Sequence, residues 1–205
     1  MYKAKVKTKF NMDNRITFKQ YRNIDLGILC VVTVVFEAIA TLASSRWFAG
    51  QPMAISLTLL LTLIAMHRWG PFAAVIAVVG GAVFCISSSA SPEHFLIYCV
   101  GNLFALSSLL YFKLFGKESV RRSFFKTLLY ASSAYVMTAL GRYLSSLPFG
   151  GGFAELVGFV ASDVLSLLIA VIVLYALRDM DGLIEDQKAY LFRLEKQRRA
   201  DTDGE

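Results

Sequence analysis

Proline, charge and cysteine are all scarce in this chain. Its 205 residues include four prolines and three cysteines, and only 18% of them are charged, against 56% that are hydrophobic. This composition excludes an ordinary soluble domain and favours a small bundle of helices in lipid. The cysteines form neither a CxxC pair nor a histidine-rich cluster, so we interpret them as packing residues and expect no metal site.

Sequence motifs of common enzymes are absent as well. The chain has no GxxxxGK[ST] loop for nucleotide phosphates, no HExxH zinc motif and no GxSxG nucleophile turn. The acidic cluster at Asp179 and Asp181 has the wrong spacing for the aspartate motif of CDP-alcohol phosphotransferases. We therefore expect no enzymatic activity and no cofactor, and any ATP hydrolysis would have to come from a partner.

Six hydrophobic segments alternate with polar connections. They cover residues 24–44, 53–67, 71–89, 94–112, 124–147 and 153–177. A membrane-spanning helix needs about 20 apolar residues, so the second and third segments are short. They are either two thin spans or a re-entrant hairpin. We predict an all-α integral membrane bundle of six transmembrane helices.

Basic residues are distributed unevenly among the connections. Nineteen of the 21 Lys and Arg residues fall in the N-terminal segment, the second and fourth connections and the tail; the other two are Arg46 and Arg142. Because basic loops are retained in the cytoplasm, this pattern predicts that both termini are cytoplasmic. It also explains the pI of 9.3, so we do not expect nucleic acid as a partner.

The predicted spans divide the chain into three parts. Residues 1–23 form a basic cytoplasmic segment suited to anionic lipid headgroups, residues 24–177 form the transmembrane domain, and residues 178–205 form a cytoplasmic amphipathic tail. The polar, basic start and the lack of a small-residue cleavage site predict no cleavable signal peptide. We expect a multi-pass protein of the bacterial plasma membrane.

Four polar or charged side chains stand out within the hydrophobic segments: Glu37, Asn102, Arg142 and Asp163. A charge at the bilayer centre costs at least about 2.5–3.5 kcal/mol unless it is paired or hydrated, so such residues mark functional sites. At a helical rise of about 1.5 Å per residue, the four lie roughly 8–15 Å below the outer surface and converge there. They form either a solute-binding pocket or an ion pair of Arg142 with Asp163 or Glu37 that fixes helix register.

Aromatic residues are expected to complete such a pocket. Tyr98 shares a helix face with Asn102, and Tyr135 shares one with Arg142. Rings in the outer loops would cover a bound ligand. These rings are Trp47, Phe48, Phe149 and Phe153. Together with the four polar residues, these aromatic side chains are the predicted substrate-binding residues.

Small residues recur at intervals of four in two of the hydrophobic segments. Ala73, Ala77 and Gly81 lie on one helix face in the third segment, and Ala40 and Ser44 lie on one in the first. Such spacing lets membrane helices approach closely. We predict that these faces dock a partner subunit in the membrane. Ordinary packing within the bundle is the alternative.

Four short motifs accompany the six segments. They are Arg46-Trp47-Phe48, Arg68-Trp69-Gly70, Leu114-Phe115-Gly116-Lys117, and Asp181-Gly182-Leu183 leading to Glu185-Asp186-Gln187-Lys188. With this layout the chain resembles, over nearly its whole length, the substrate-binding S components of energy-coupling factor (ECF) transporters. It departs from them in the first helix, where Ala40-x-x-x-Ser44 stands in place of the usual Ala-x-x-x-Ala pair.

The resemblance implies a high-affinity binding subunit for a small water-soluble vitamin or precursor, with an outward pocket formed by the later helices and the outer loops. It also implies a transmembrane partner subunit and two ATPase subunits. In such a pocket Arg142 would bind an anionic or carbonyl group and Asn102 would orient polar edges. A proton-coupled secondary transporter using Glu37 and Asp163, or a membrane scaffold without ligand, are the alternatives.

Overall fold

The computed structural model of the chain describes residues 17–49, 53–180, 183–184 and 186–202. Regular structure within these ranges is entirely helical, at 86% helix with no strand. This finding confirms the predicted all-α class. Most of the basic N-terminal segment, and the Asp181-Gly182 motif of the tail, lie outside the described residues.

Ten α-helices lie within the described ranges. They are α1 (Phe18–Trp47), α2 (Thr58–Trp69), α3 (Ala74–Ser87), α4 (Pro92–Leu103), α5 (Leu110–Phe115), α6 (Lys117–Arg122), α7 (Phe124–Ser146), α8 (Phe153–Ser162), α9 (Val164–Ala176) and α10 (Gln187–Thr202). Short 3-10 segments at Gly70–Ala73, Phe104–Leu109 and Leu147–Phe149 connect several of them. Through the second of these segments, α4 continues into α5 as one helical run.

By length and composition alone, three helical runs among the described residues are long and apolar enough to cross a membrane, or four if one bent pair counts as one span. The three are Phe18–Trp47, Thr58–Ser87 and Pro92–Phe115, and the bent pair is α8 and α9, which meet at 41°. The described residues therefore contain apolar helices compatible with a membrane-embedded protein. The count by this criterion is three or four.

The run Thr58–Ser87 is folded back on itself. A Cβ atom built on Gly80 would lie 2.3 Å from the Thr58 hydroxyl oxygen, whereas a straight helix would separate the two residues by about 33 Å. The reversal occurs at Gly70, which ends α2 with a φ of 62° and precedes Pro71. The two helices α2 and α3 therefore form an antiparallel hairpin of short helices.

Side-chain contacts show which helix ends lie together. Near the start of α1, Asp25 accepts hydrogen bonds from Arg68 Nη2 at 2.6 Å and from Trp69 Nε1 at 2.5 Å, both at the end of α2. At the same end, Lys117 Nζ of α6 lies 2.6 Å from the Asp186 carboxylate, just before α10. We call this the proximal end of the bundle, and the opposite end the distal end.

The tail packs on the proximal end of the bundle. Ile184 and Leu191 are buried, and Arg121 Nη1 donates to the Ile184 carbonyl at 3.4 Å. The Tyr21 hydroxyl donates to Gln187 Oε1 at 3.4 Å. Both apolar side chains and polar contacts therefore attach the segment around α10 to the rest of the chain.

Apolar side chains cover the outside of the bundle as well as its interior. Leu63, Met66 and Tyr130 are completely buried in the core, and the Tyr130 hydroxyl donates to the Leu63 carbonyl at 3.2 Å. Along α1, in contrast, Val31 is 64% exposed and Ile39 is 60% exposed. An exterior row of aliphatic residues on a long helix is suited to contact with lipid.

The five small residues predicted to dock a partner are buried within this chain: Ala40, Ser44, Ala73, Ala77 and Gly81. Ser44 Oγ accepts a hydrogen bond from the Ile55 amide at 3.0 Å. Ordinary packing, the stated alternative, therefore accounts for the burial of all five. Docking of a partner on these faces stays a prediction.

Candidate functional site

Arg142 is the centre of a buried polar cluster. Its Nε and Nη2 atoms donate to Asn102 Oδ1 at 3.1 and 2.9 Å, and its Nη1 atom lies 2.5 Å from Asp163 Oδ2. The arginine side chain is 5% exposed and the aspartate 13%. The structure thus brings together three of the four polar residues that the sequence singled out. The Arg142–Asp163 ion pair, one of the two pairs considered, is formed.

Two glycines allow α4 and α7 to cross closely at this cluster. A Cβ on Gly101 would lie 2.5–2.7 Å from the backbone and side chain of Arg142, and one on Gly141 would lie 2.5 Å from the Gly101 carbonyl oxygen. Any larger side chain at either position would separate the helices. The close crossing places the Arg142 guanidinium beside Asn102 on the neighbouring helix.

Asp163 reaches the cluster because the helix that carries it is interrupted there. The residue lies between α8 and α9, and its backbone leaves the helical conformation, with φ of −99° and ψ of 8°. Its carbonyl accepts the Leu167 amide at 3.1 Å, so α9 starts directly after it. A carboxylate at the start of a helix is favoured by the partial positive charge of that end.

An aromatic side chain closes the cluster toward the distal end. The Tyr98 ring lies over the Arg142 guanidinium, with the central carbon 4.4 Å from the ring centroid. On its other sides, Tyr98 stacks on Phe84 at 4.7 Å and meets Phe159 edge-on at 6.1 Å. A cation held against a ring in a desolvated site gains roughly 2 kcal/mol. Tyr98 therefore both stabilises and covers the arginine.

Below Tyr98 lies a small polar cavity of about 20 Å³. Its lining residues are Ser56, Thr58, Leu59, Thr62, Asn102, Ala105, Tyr135, Thr138, Arg142 and Asp163. This volume holds about one water molecule. The Thr62 hydroxyl has no hydrogen-bond partner among the described residues, so the cavity offers a free donor and acceptor beside the charged cluster.

On the other side of Tyr98, a wider vestibule of about 400 Å³ opens at the distal end. Glu93, His94, Phe149 and Glu155 are among its lining residues, and Tyr98 forms part of its wall. Since Tyr98 lies over Arg142 and also lines the vestibule, it separates the vestibule from the charged cluster. A solute in the vestibule would meet the ring before it met the guanidinium.

Glu37, the fourth predicted polar residue, has a different position. Its Oε2 atom accepts the backbone amides of Leu57 and Thr58 at 2.7 and 2.8 Å, and the residue is completely buried. It therefore caps the start of α2 inside the bundle. Among the described residues it forms no ion pair with Arg142, so the second pair that the sequence left open is not present.

The chain just before α2 is not helical, although it lies within the predicted second span. Its backbone amides are satisfied by other elements: Ala54 donates to the Ser162 carbonyl at 3.0 Å, and Ser56 donates to Ser166 Oγ at 2.9 Å. Unpaired backbone groups are very costly in lipid, so these contacts make a non-helical stretch tolerable. Neither Ser162 nor Ser166 was among the predicted site residues. Ser162 takes part through its backbone carbonyl, which no residue type signals, whereas the Ser166 hydroxyl is a polar group that the sequence shows within an apolar run.

The remaining predicted aromatic residues do not share one location. Tyr135 lines the small cavity and donates its hydroxyl hydrogen to the Val160 carbonyl. Phe48 lines a separate distal pocket of about 260 Å³ beside Thr41. Trp47 is 75% exposed and Phe153 is 71% exposed. The structure therefore brings Tyr98, Tyr135 and Phe149 to the two cavities, whereas Trp47 and Phe153 point to the surface.

Within the ranges that the structure covers, no group of three or more His, Cys, Asp or Glu side chains could hold a metal ion. The chain matches no protein-family model, no curated protein and no solved structure. The geometry of the charged cluster and its two cavities is thus the basis for any functional assignment.

Proposed function

We propose that this chain is the membrane-embedded, high-affinity substrate-binding subunit of an ATP-driven uptake transporter of the ECF type. In this proposal it makes six membrane passes with both termini in the cytoplasm, and it binds a small water-soluble vitamin or precursor. The observation that carries the proposal is the buried cluster of Arg142, Asn102 and Asp163 between a distal vestibule and an inner polar cavity. Buried ionisable groups in membrane helices mark solute pathways.

The proposed binding step is an exchange of partners on Arg142. A solute would enter the vestibule, displace the Tyr98 ring and present a carboxylate or carbonyl oxygen to the guanidinium, which now pairs with Asp163. The cavity of about 20 Å³ is too small for any vitamin, so it would have to widen on binding, and in this proposal the break between α8 and α9, bent at 41°, is where it opens. Helix breaks near the middle of the membrane are common at transporter binding sites.

The arrangement of charge supports the proposed orientation. Nineteen of the 21 Lys and Arg residues lie in segments that the proposal assigns to the cytoplasm. Lys117, Arg121 and the contacts of Asp186 all lie at the proximal end, whereas the vestibule is distal. The vestibule would then open to the outside, as an uptake protein needs.

Dependence on a separate ATPase tests the proposal. Cells would express the chain with an ECF transmembrane subunit and its two ATPases, in one strain active and in the other with the nucleotide-binding lysine of each ATPase replaced. Mass spectrometry would then compare the small solutes that each strain takes up from a complex medium. We expect one solute to accumulate only with active ATPases. Uptake that persists with inactive ATPases and collapses with a protonophore would contradict the proposal.

That contrary result would favour a proton-coupled secondary transporter, the second candidate function. One specific observation supports it: Glu37 is completely buried and caps a half-helix inside the bundle, and Asp163 lies at the other helix break. Asp and Glu residues buried among membrane helices serve as proton relays in pumps and transporters. In that case Glu37→Gln would abolish the response of uptake to the pH gradient.

A further inference from the structure

A large groove lies at the proximal end, away from the charged cluster. Its volume is about 710 Å³, and it is bounded by the start of α1, the turn between α2 and α3, the 3-10 segment with α5, and the start of the tail. These are places where candidate spanning helices begin or end. The groove is therefore at the level where hydrocarbon would give way to lipid headgroups.

The interior wall of this proximal groove is apolar. Phe18, Phe72, Leu106, Leu110 and Phe112 all line it. Phe72 is 46% exposed and Leu110 is 57% exposed, so the apolar wall continues onto the outer surface of the bundle. A groove of this kind accommodates a hydrocarbon chain lying along the protein.

The rim of the groove is basic. Five of its six charged lining residues are cations, and Asp186 is the single anion among the described lining residues. The cations are Arg22, Arg68, Lys113, Lys117 and Lys188. Arg68 pairs with Asp25, and Lys117 pairs with Asp186, each at 2.6 Å. The groove thus holds more positive charge than its own carboxylate can balance.

Three of these cations have no ion pair within the described part of the chain: Arg22, Lys113 and Lys188. The Arg22 guanidinium lies 3.8 Å from the centroid of the Phe72 ring, and its buried Nε atom has no hydrogen-bond partner among the described residues. Lys113 and Lys188 are exposed at the rim. Each is positioned to meet an anionic group that arrives from outside the chain.

We propose that the proximal groove binds one anionic diacyl phospholipid, with its phosphate on Arg22, Lys113 and Lys188 and an acyl chain along Phe72 and Leu110. A free phosphate ion would leave the apolar wall uncovered, and a neutral lipid would leave the cations unpaired. Basic pockets between membrane helices at the cytoplasmic side bind anionic headgroups in this way. The proposal requires the bundle to lie in a bilayer and does not depend on the transported solute.

Lipid titration with matched variants tests this site. Purified protein in detergent would be titrated with dioleoylphosphatidylglycerol and, separately, dioleoylphosphatidylcholine, and native mass spectrometry would count bound lipids. The variant Lys113→Gln/Lys188→Gln removes two rim cations that have no ion pair in the described structure, so its fold should persist. The control Lys19→Gln/Lys196→Gln removes two exposed lysines that do not line the groove.

We expect the wild-type chain and the control to bind one phosphatidylglycerol far more tightly than phosphatidylcholine. The groove variant should lose roughly 25-fold in affinity for phosphatidylglycerol, about fivefold for each cation. Glycerol phosphate at the same concentration should not compete. Equal binding of both lipids by the wild-type chain, an equal loss in the control, or full competition by glycerol phosphate would each overturn the proposal.

Discussion

Replacing Gly101 with alanine should disrupt the candidate site by separating two helices. The added Cβ would lie 2.6 Å from the Arg142 amide nitrogen and 2.7 Å from its Cα, whereas ordinary contacts begin at 3.4 Å. Because those atoms belong to the backbone of α7, they cannot rotate away, and α4 must move by about 1 Å. Overpacking of this kind lowers the free energy of unfolding by about 1–3 kcal/mol.

A chain of this size should respond with a fall in melting temperature of about 3–10 °C. The assay is thermal melting of detergent-purified protein, read by size-exclusion fluorescence. The control is Gly27→Ala, because Gly27 lies in α1 with nothing within 4 Å of its added Cβ; that variant should change stability by less than about 1 kcal/mol. A Gly101→Ala chain that melts like the wild-type protein would refute the close crossing of α4 and α7.

The other predictions concern the buried carboxylates and the tail. Glu37→Ala should lower the free energy of unfolding by about 2–4 kcal/mol, because it leaves two backbone amides without an acceptor. Glu37→Gln and the exposed control Glu155→Ala should lower it less. Equal melting temperatures for all three variants would contradict the capping role. Arg142→Ala should lower the free energy of unfolding by about 3–5 kcal/mol, and the double variant Arg142→Leu/Asp163→Leu should recover part of that loss. Effects of the single substitutions on the melting temperature that simply add in the double variant would contradict the pairing. Partial burial raises the pKa of Asp186, but Lys117 and two backbone amides outweigh it, so the pKa lies below its ordinary value of 3.8. The tail contact is therefore fully stabilising above pH 3.8 and lost as the pH falls below it, and Asp186→Asn should release α10 to proteolysis at neutral pH; unchanged proteolysis of that variant would contradict the contact.

The charged cluster could be predicted from the sequence because lipid makes unpaired charge so costly. Once Arg142 and Asp163 were placed in hydrophobic segments, their depth along each helix brought them to one level. Asn102 followed from the same depth argument. The residue types themselves, rather than any sequence motif, were what predicted the cluster.

The helix interruptions were not predicted, because hydropathy does not distinguish a non-helical apolar stretch from a helical one. Residues 53–57 have the apolar character of a span, yet Ala54 and Ser56 bond to other elements instead of to their own helix. Ser162-Asp163 before an apolar run is a helix-start signal that could have located the second break. The capping contact of Glu37 depends on the first break, so the sequence did not predict it; a role of Glu37 in ligand binding stays a prediction.

The positions of the aromatic residues that were predicted to lie in the outer loops could not be derived from sequence patterns, for a related reason. Helical periodicity fixes which face a residue occupies, as for Tyr98 and Tyr135, and both of these line a cavity. Residues at a helix end, such as Trp47 and Phe153, are not constrained in this way, because periodicity along the apolar segment does not extend to them. Trp47 and Phe153 accordingly point outward although Phe149 lines the vestibule.

Mass spectrometry of small molecules released from the gently purified protein tests the central claim most directly. The comparison is between the wild-type chain, Arg142→Gln and the control Arg46→Gln, which changes an exposed arginine at the same end of the bundle. We predict one polar solute, near one per chain, in the wild-type and control proteins, and at least roughly tenfold less in Arg142→Gln while that variant still elutes as a folded species. The same amount of solute in all three proteins, or none in any of them, would contradict a binding role for the buried arginine.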